Sequence, residues 1–96
     1  TQENRTLTAA LSGELDHHAA KAVMVQLEQQ VDAARPRTLI LDLGGLSFTD
    51  SSGIAVLLRA WRHMTQLGGS MKVVRTPGQA DKVFRAAGLQ RLIPFE

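Results

Sequence analysis

Thr38-Leu39-Ile40-Leu41-Asp42-Leu43, continued through Gly44 to Thr49 into Asp50-Ser51-Ser52-Gly53 and then Ile54, Leu57, Leu58, Trp61 and Met64, is the stretch that decides the fold. Its first six residues form a nearly continuous apolar run, the pattern of a strand buried on both faces in a parallel sheet, and they predict the central strand. Gly44 to Thr49 reads as a loop. Asp50 reads as a helix cap, and the apolar residues after it recur at helical spacing until Gly68-Gly69 ends the helix.

Outward toward the N-terminus, Pro36 forces a helix to stop near Ala34, because the residue before a proline is pushed out of the helical region. That helix carries Ala20, Met24, Leu27 and Val31 along one face and opens at Asp16, whose carboxylate suits free N–H groups. Leu7, Ala9 and Leu11 alternate with polar or small residues as a first strand, which Ser12-Gly13 is expected to break. Toward the C-terminus, Met71 to Val74 reads as a third strand. Thr76-Pro77 reads as a cap with proline at the first helical position, and Ala80, Val83, Phe84 and Ala87 as a stripe closed by Gly88. Leu92-Ile93 adds either a last strand or cover for the core.

Strand, helix, strand, helix, strand, helix implies parallel strands joined by right-handed crossovers. The expected architecture is α/β, a small, mostly parallel sheet with helices packed against it, in one domain over residues 1–96. The chain starts almost at its first strand and stops soon after Ile93, so the native domain is expected to extend further, with an additional edge strand or terminal helix.

Composition narrows the function classes. A chain of 96 residues holds one core, and 44% apolar with 21% charged residues argues for a folded domain rather than disorder. With no cysteine, neither a disulfide framework nor a thiolate metal site is available, which favours an intracellular, cytoplasmic setting. No apolar run reaches the length of a membrane span, and Thr1-Gln2-Glu3-Asn4-Arg5 is unlike a signal peptide, so no membrane insertion is expected. Residues 1–50 carry four Lys or Arg against seven Asp or Glu, and residues 51–96 carry seven against two. Arg59, Arg62, Arg75, Lys82 and Arg85 are scattered over several elements, as on ordinary solvated faces, and there is no aromatic platform, so no direct nucleic-acid partner is expected.

Asp50-Ser51-Ser52-Gly53 falls at the carboxyl end of the central strand, where open α/β sheets place functional loops. With Asp50 as the cap, Ser51 is the first helical residue, near free N–H groups and the positive end of the helix dipole. A phosphate there, of roughly −1.5 to −2 charges, leaves the fold intact and is felt by a docked partner. The same tetrapeptide is also what ordinary capping chemistry produces. His17-His18 beside Asp16 suggests a metal or acid-base pair, but neighbours on an opening turn do not converge and no third ligand is evident. Gly68-Gly69 is a helix terminus and not a phosphate cradle, since no P-loop pattern accompanies it. Ser51 in a strand-to-helix turn invites comparison with the nucleophile elbow of hydrolases, yet Thr49 replaces its first glycine, and His63 and Asp81 sit on helices without evident convergence, which leaves His17 and Asp16 as the residues that could approach Ser51.

Three blocks carry a resemblance: Leu11-Ser12-Gly13-Glu14-Leu15-Asp16-His17-His18; Leu39 to Leu43 leading through Leu46-Ser47-Phe48 into Asp50-Ser51-Ser52-Gly53-Ile54; and Gly68-Gly69 before the third strand. In this order and over nearly the whole chain they resemble STAS domains, and among these the bacterial anti-sigma factor antagonists, including the sporulation type. The resemblance implies a non-enzymatic switch phosphorylated at Ser51, with Asp16, Asp50, Ser51, Ser52 and Gly53 on its docking surface. It implies two partners, an anti-sigma factor that is also a serine kinase and a phosphoserine phosphatase. ATP and Mg²⁺ would belong to the kinase, so the chain itself is assigned no cofactor. The implied mechanism is partner switching. The alternative within the family is a docking subunit of a lipid or anion transport system. The family's first edge strand and terminal helix have no full counterpart in this sequence.

Overall fold

In the computed structural model, which describes residues 2, 3 and 5–96, four strands form one sheet in the order β1-β2-β3-β4. The elements are β1 (Gln2–Glu3), β2 (Thr6–Leu15), α1 (His17–Ala34), β3 (Thr38–Thr49), α2 (Ser51–Gln66), β4 (Ser70–Val74) and α3 (Gly78–Ala86), then a single 3₁₀ turn at Leu89–Arg91. β2, β3 and β4 are parallel, and β1 is a two-residue antiparallel strip on the outer edge of β2. Among the described residues the outer edge of β2 carries only this strip, and no α-helix follows Ala86.

Register explains where the core lies. Leu7, Leu39 and Met71 are paired across the sheet, as are Ala9, Leu41 and Val73, and all six are buried. Side chains alternate between faces along a strand, so these rows share one face. Leu27 and Val31 of α1, Val56, Leu57 and Met64 of α2, and Ala80 and Phe84 of α3 join the same core. The one-sidedness follows from topology: when successive parallel strands are added in one direction, right-handed crossovers put both connecting helices on the same face. β3 is therefore not buried on both faces, as its apolar run suggested. Leu39, Leu41 and Leu43 are fully buried, whereas Ile40 is only half-buried on the opposite face, flanked by Thr8 and Lys72.

Two expected breaks are continuous strand. β2 runs through Ser12-Gly13 to Leu15, and β3 runs through the expected loop to Thr49. The two segments satisfy each other: Ser12, Gly13, Glu14 and Leu15 pair with Gly45, Leu46, Phe48 and Thr49. Irregularities between Ala10 and Ser12 and between Gly13 and Glu14 accommodate Gly13, whose φ of 77° suits a residue without Cβ.

α2 is also rotated from its expected stripe. Gly53, Val56, Leu57, Ala60 and Met64 are buried, while Ile54, Leu58 and Trp61 lie at the margins. Small residues at 53 and 60 let the helix approach its neighbours closely, and the larger apolar side chains flank the contact. The α3 start differs as well. Pro77 is itself the extended cap residue and Gly78 opens the helix, which leaves Thr76 too early to cap it; the Thr76 hydroxyl is buried without a hydrogen-bond partner. At the C-terminus Ile93 covers the core, and strand-like pairing falls to Phe95, which bridges Val73.

Asp42, where β4 pairing ends, accepts hydrogen bonds from Arg75 Nε and the Gly44 N–H, each at 2.9 Å. These contacts, Arg75 first, hold its carboxyl below the ordinary aspartate value. A depressed native pKa stabilises the fold above the unfolded aspartate pKa and loses that effect as pH falls through the native value. The Asp42 side-chain signal in an NMR titration should accordingly have its midpoint below the usual aspartate range, and Arg75→Gln should move it upward.

Candidate functional site

The site is built from two strand ends. Leu15 and Thr49 are Cα partners in adjacent parallel strands, about 5 Å apart, and the next residue of each chain segment is a helix cap. Asp16 accepts from His18 N at 3.0 Å and Ala19 N at 3.1 Å; Asp50 accepts from Ser52 N at 2.8 Å. Both aspartates are in extended backbone, the conformation of a cap residue, and both helices begin immediately after them. The N-termini of α1 and α2 thereby emerge side by side at the carboxyl edge of the sheet, bringing Asp16 and Asp50 to one end of the molecule.

Ser51 occupies the first position of α2 and is exposed, Ser52 is half-buried and Gly53 is buried. Among the described residues, none of the hydrogen bonds at this junction uses the Ser51 hydroxyl. Gly53 is required by packing: a Cβ there would lie 2.1 Å from Thr49 Oγ1 and 3.4 Å from the Phe84 ring. Of the expected docking residues, Asp16, Asp50, Ser51 and Ser52 have accessible surface, whereas Gly53 acts from beneath by allowing α2 to seat. Replacing Asp50 with alanine should cost about 1 kcal/mol, read as a lower urea midpoint, and asparagine, which retains the acceptor, should cost far less.

Thr49 and Gln79 escaped the sequence reading. Thr49 is fully buried and donates its hydroxyl to Leu15 O at 2.8 Å. Gln79, in the first turn of α3, donates Nε2 to Thr49 O at 2.8 Å and accepts from Thr49 N at 3.0 Å. The polar residue in the otherwise apolar buried set of β3 was a signal for Thr49; no local pattern marks Gln79, whose partner is thirty residues away. Phe48, beside Glu14 in the register, is 41% exposed.

Other candidates resolve differently. The His17 and His18 rings do approach, with centroids 3.9 Å apart, contrary to the expectation for adjacent helical residues. Asp16 is engaged with backbone N–H groups, and among the described residues no group of three His, Cys, Asp or Glu could hold a metal ion. His63 Nε2 lies 2.9 Å from Asp32 on α1, and Asp81 pairs with Arg85 at 2.9 Å, so the His and Asp that a serine triad would need from later in the chain are engaged elsewhere. Among the described residues no helix is long and apolar enough to cross a membrane.

The STAS domain family matches residues 1–96. The anti-sigma F factor antagonist of Paenibacillus polymyxa is 33% identical over 89 residues, covering 93% of this chain and 76% of that protein. Among solved structures, the anti-sigma factor antagonist SpoIIAA in its unphosphorylated form superposes with a TM-score of 0.80 at 28% identity, covering 95% of this chain and 79% of that one. The Bacillus cell fate determinant SpoIIAA in its phosphorylated form gives 0.75 at 27% identity, covering 100% and 86%. The STAS domain of a SulP transporter from Vibrio cholerae shares the fold, with a TM-score of 0.79 at 20% identity over 100% of this chain and 77% of that one. Together with paired strand ends, two aspartate caps and a one-sided α/β sheet, these matches establish that the chain belongs to the STAS domain family.

Proposed function

We propose that this chain is an anti-sigma factor antagonist of the cytoplasm, switched by phosphorylation of Ser51. Unmodified, it docks through the Asp16, Asp50, Ser51 and Ser52 surface on an anti-sigma factor with serine kinase activity and so releases a sigma factor. Phosphorylation ends the docking, and a phosphoserine phosphatase restores it. The observation that carries the reading is the exposed Ser51 at the start of α2, its hydroxyl outside the hydrogen bonds of the cap, in a chain 33% identical to an anti-sigma F factor antagonist. A relative of known structure exists in phosphorylated and unphosphorylated forms, which supports the same chemistry here.

The geometry suits such a switch. Asp50 satisfies the Ser52 N–H, so α2 does not depend on a phosphate to form. For phosphoryl transfer the kinase must bring the γ-phosphate of its nucleotide in line with Ser51 Oγ. A phosphate already on Ser51 then faces the nucleotide phosphates across a desolvated interface, and like charges there are costly.

Incubation of the wild-type chain and Ser51→Ala with the anti-sigma kinase of the same cell and ATP, followed by peptide mapping by mass spectrometry, tests the assignment. One phosphate on Ser51, absent from the variant, is the expected result. No phosphate, or a phosphate elsewhere unaffected by the substitution, would favour the docking-subunit reading suggested by the shared fold of the transporter domain and leave Asp50-Ser51-Ser52-Gly53 as a helix cap.

A further inference from the structure

Pairing between β3 and β4 ends at Asp42 and Val74, so among the described residues the last part of β3 has no strand on that side. A backbone N–H and C=O at such an edge ordinarily need water or a partner chain. At Thr49 they have neither need: the Gln79 carboxamide supplies one donor and one acceptor, at 2.8 and 3.0 Å, as a neighbouring strand would. Only one orientation of the amide makes both bonds. On its other side Thr49 pairs with Leu15 and donates its hydroxyl to Leu15 O, and from α2 Gly53 packs against that hydroxyl. α3 is a firm base for the clamp because Ala80 and Phe84 are buried in the core.

The direction in which Asp50 and Ser51 leave the sheet is set by the Thr49 peptide groups. We propose that Gln79 is a positioning residue for the Ser51 phosphoacceptor, holding the end of β3 so that the hydroxyl meets the kinase-bound nucleotide in line; this role rests on the reading of Ser51 as the phosphorylated serine. Gln79 does not touch the reacting atoms. Its effect is on placement, and in-line transfer is sensitive to errors of about 1 Å, which cost up to about a hundredfold in rate.

Gln79→Met preserves much of the side-chain volume and removes both bonds. Gln79→Glu keeps the acceptor for Thr49 N–H but, when ionised, sets a carboxylate oxygen against Thr49 O. Gln79 is exposed, so neither change opens the core. In the free protein, amide hydrogen exchange at Thr49 should accelerate at least about tenfold in Gln79→Met, while Leu41 is unchanged. With the anti-sigma kinase and ATP, kcat for Ser51 phosphorylation should fall about ten- to hundredfold in both variants, with KM within about threefold of wild type. Wild-type kcat in Gln79→Met, or a loss wholly in KM, which would make Gln79 a docking contact, overturns the positioning role alone. Failure of the wild-type chain to accept phosphate on Ser51 removes the underlying reading and this role with it.

Discussion

Ser51→Asp is expected to weaken docking on the anti-sigma kinase by about a hundredfold, near 2.8 kcal/mol, with almost no change in thermal midpoint. The asymmetry follows from position. Ser51 is exposed at the first turn of α2, so a carboxylate there meets water and the positive end of the helix in the free protein. In the proposed complex it would be desolvated close to the nucleotide phosphates, and an unpaired buried charge is expensive. Ser51→Ala should bind as the unmodified wild type does and keep that affinity after incubation with ATP. Calorimetric titration of the three proteins against the kinase with bound ADP measures both effects. Equal affinities for alanine and aspartate would end the electrostatic account of switching. Aspartate carries one charge and is smaller than phosphoserine, so the true modification should weaken docking further.

Gly53→Ala should have the largest effect on the fold itself. In an unconstrained helix this change stabilises by about 1 kcal/mol. Here the new methyl would stand 2.1 Å from Thr49 Oγ1, a group that is fully buried and already bonded to Leu15 O. The helix must shift or Thr49 must give up its bond, and a loss of about 2 to 3 kcal/mol is expected from urea unfolding. Thr49→Ala alone should cost about 1 to 2 kcal/mol for the lost hydrogen bond and the Leu15 carbonyl left behind. Combined with Gly53→Ala it should cost less than the sum, by about 1 kcal/mol or more, because the methyl enters space that the threonine vacated. Additive losses, or a stabilised Gly53→Ala, would mean that α2 does not approach β3 as closely as the structure shows.

The two variants separate the parts of the tetrapeptide. Ser51 is exposed, and under the proposed function its substitution is expected to be read by a partner, whereas Gly53 is buried and its substitution is expected to be read by stability. Asp50 lies between them, joining α2 to the strand through the Ser52 N–H.

Local patterns in the sequence by themselves determined the element order, the helix starts at Asp16 and Asp50, the stop near Ala34 and the placement of Ser51 at the opening of α2. Capping, proline geometry and helical spacing involve residues within a turn or two of one another, so they are visible in a linear chain. Tertiary structure alone decided what depends on distant partners. Gly44 to Thr49 became strand because β2 runs beside it to Leu15. β3 buried one face because the order β2-β3-β4 carries both crossover helices to the same side. α2 turned toward Gly53 and Ala60 because close packing favoured small residues over the larger ones beside them. The clamp between Gln79 and Thr49 exists because β4 ends at Val74 and leaves a strand edge whose polar groups must be satisfied, a requirement that arises only once the sheet has formed.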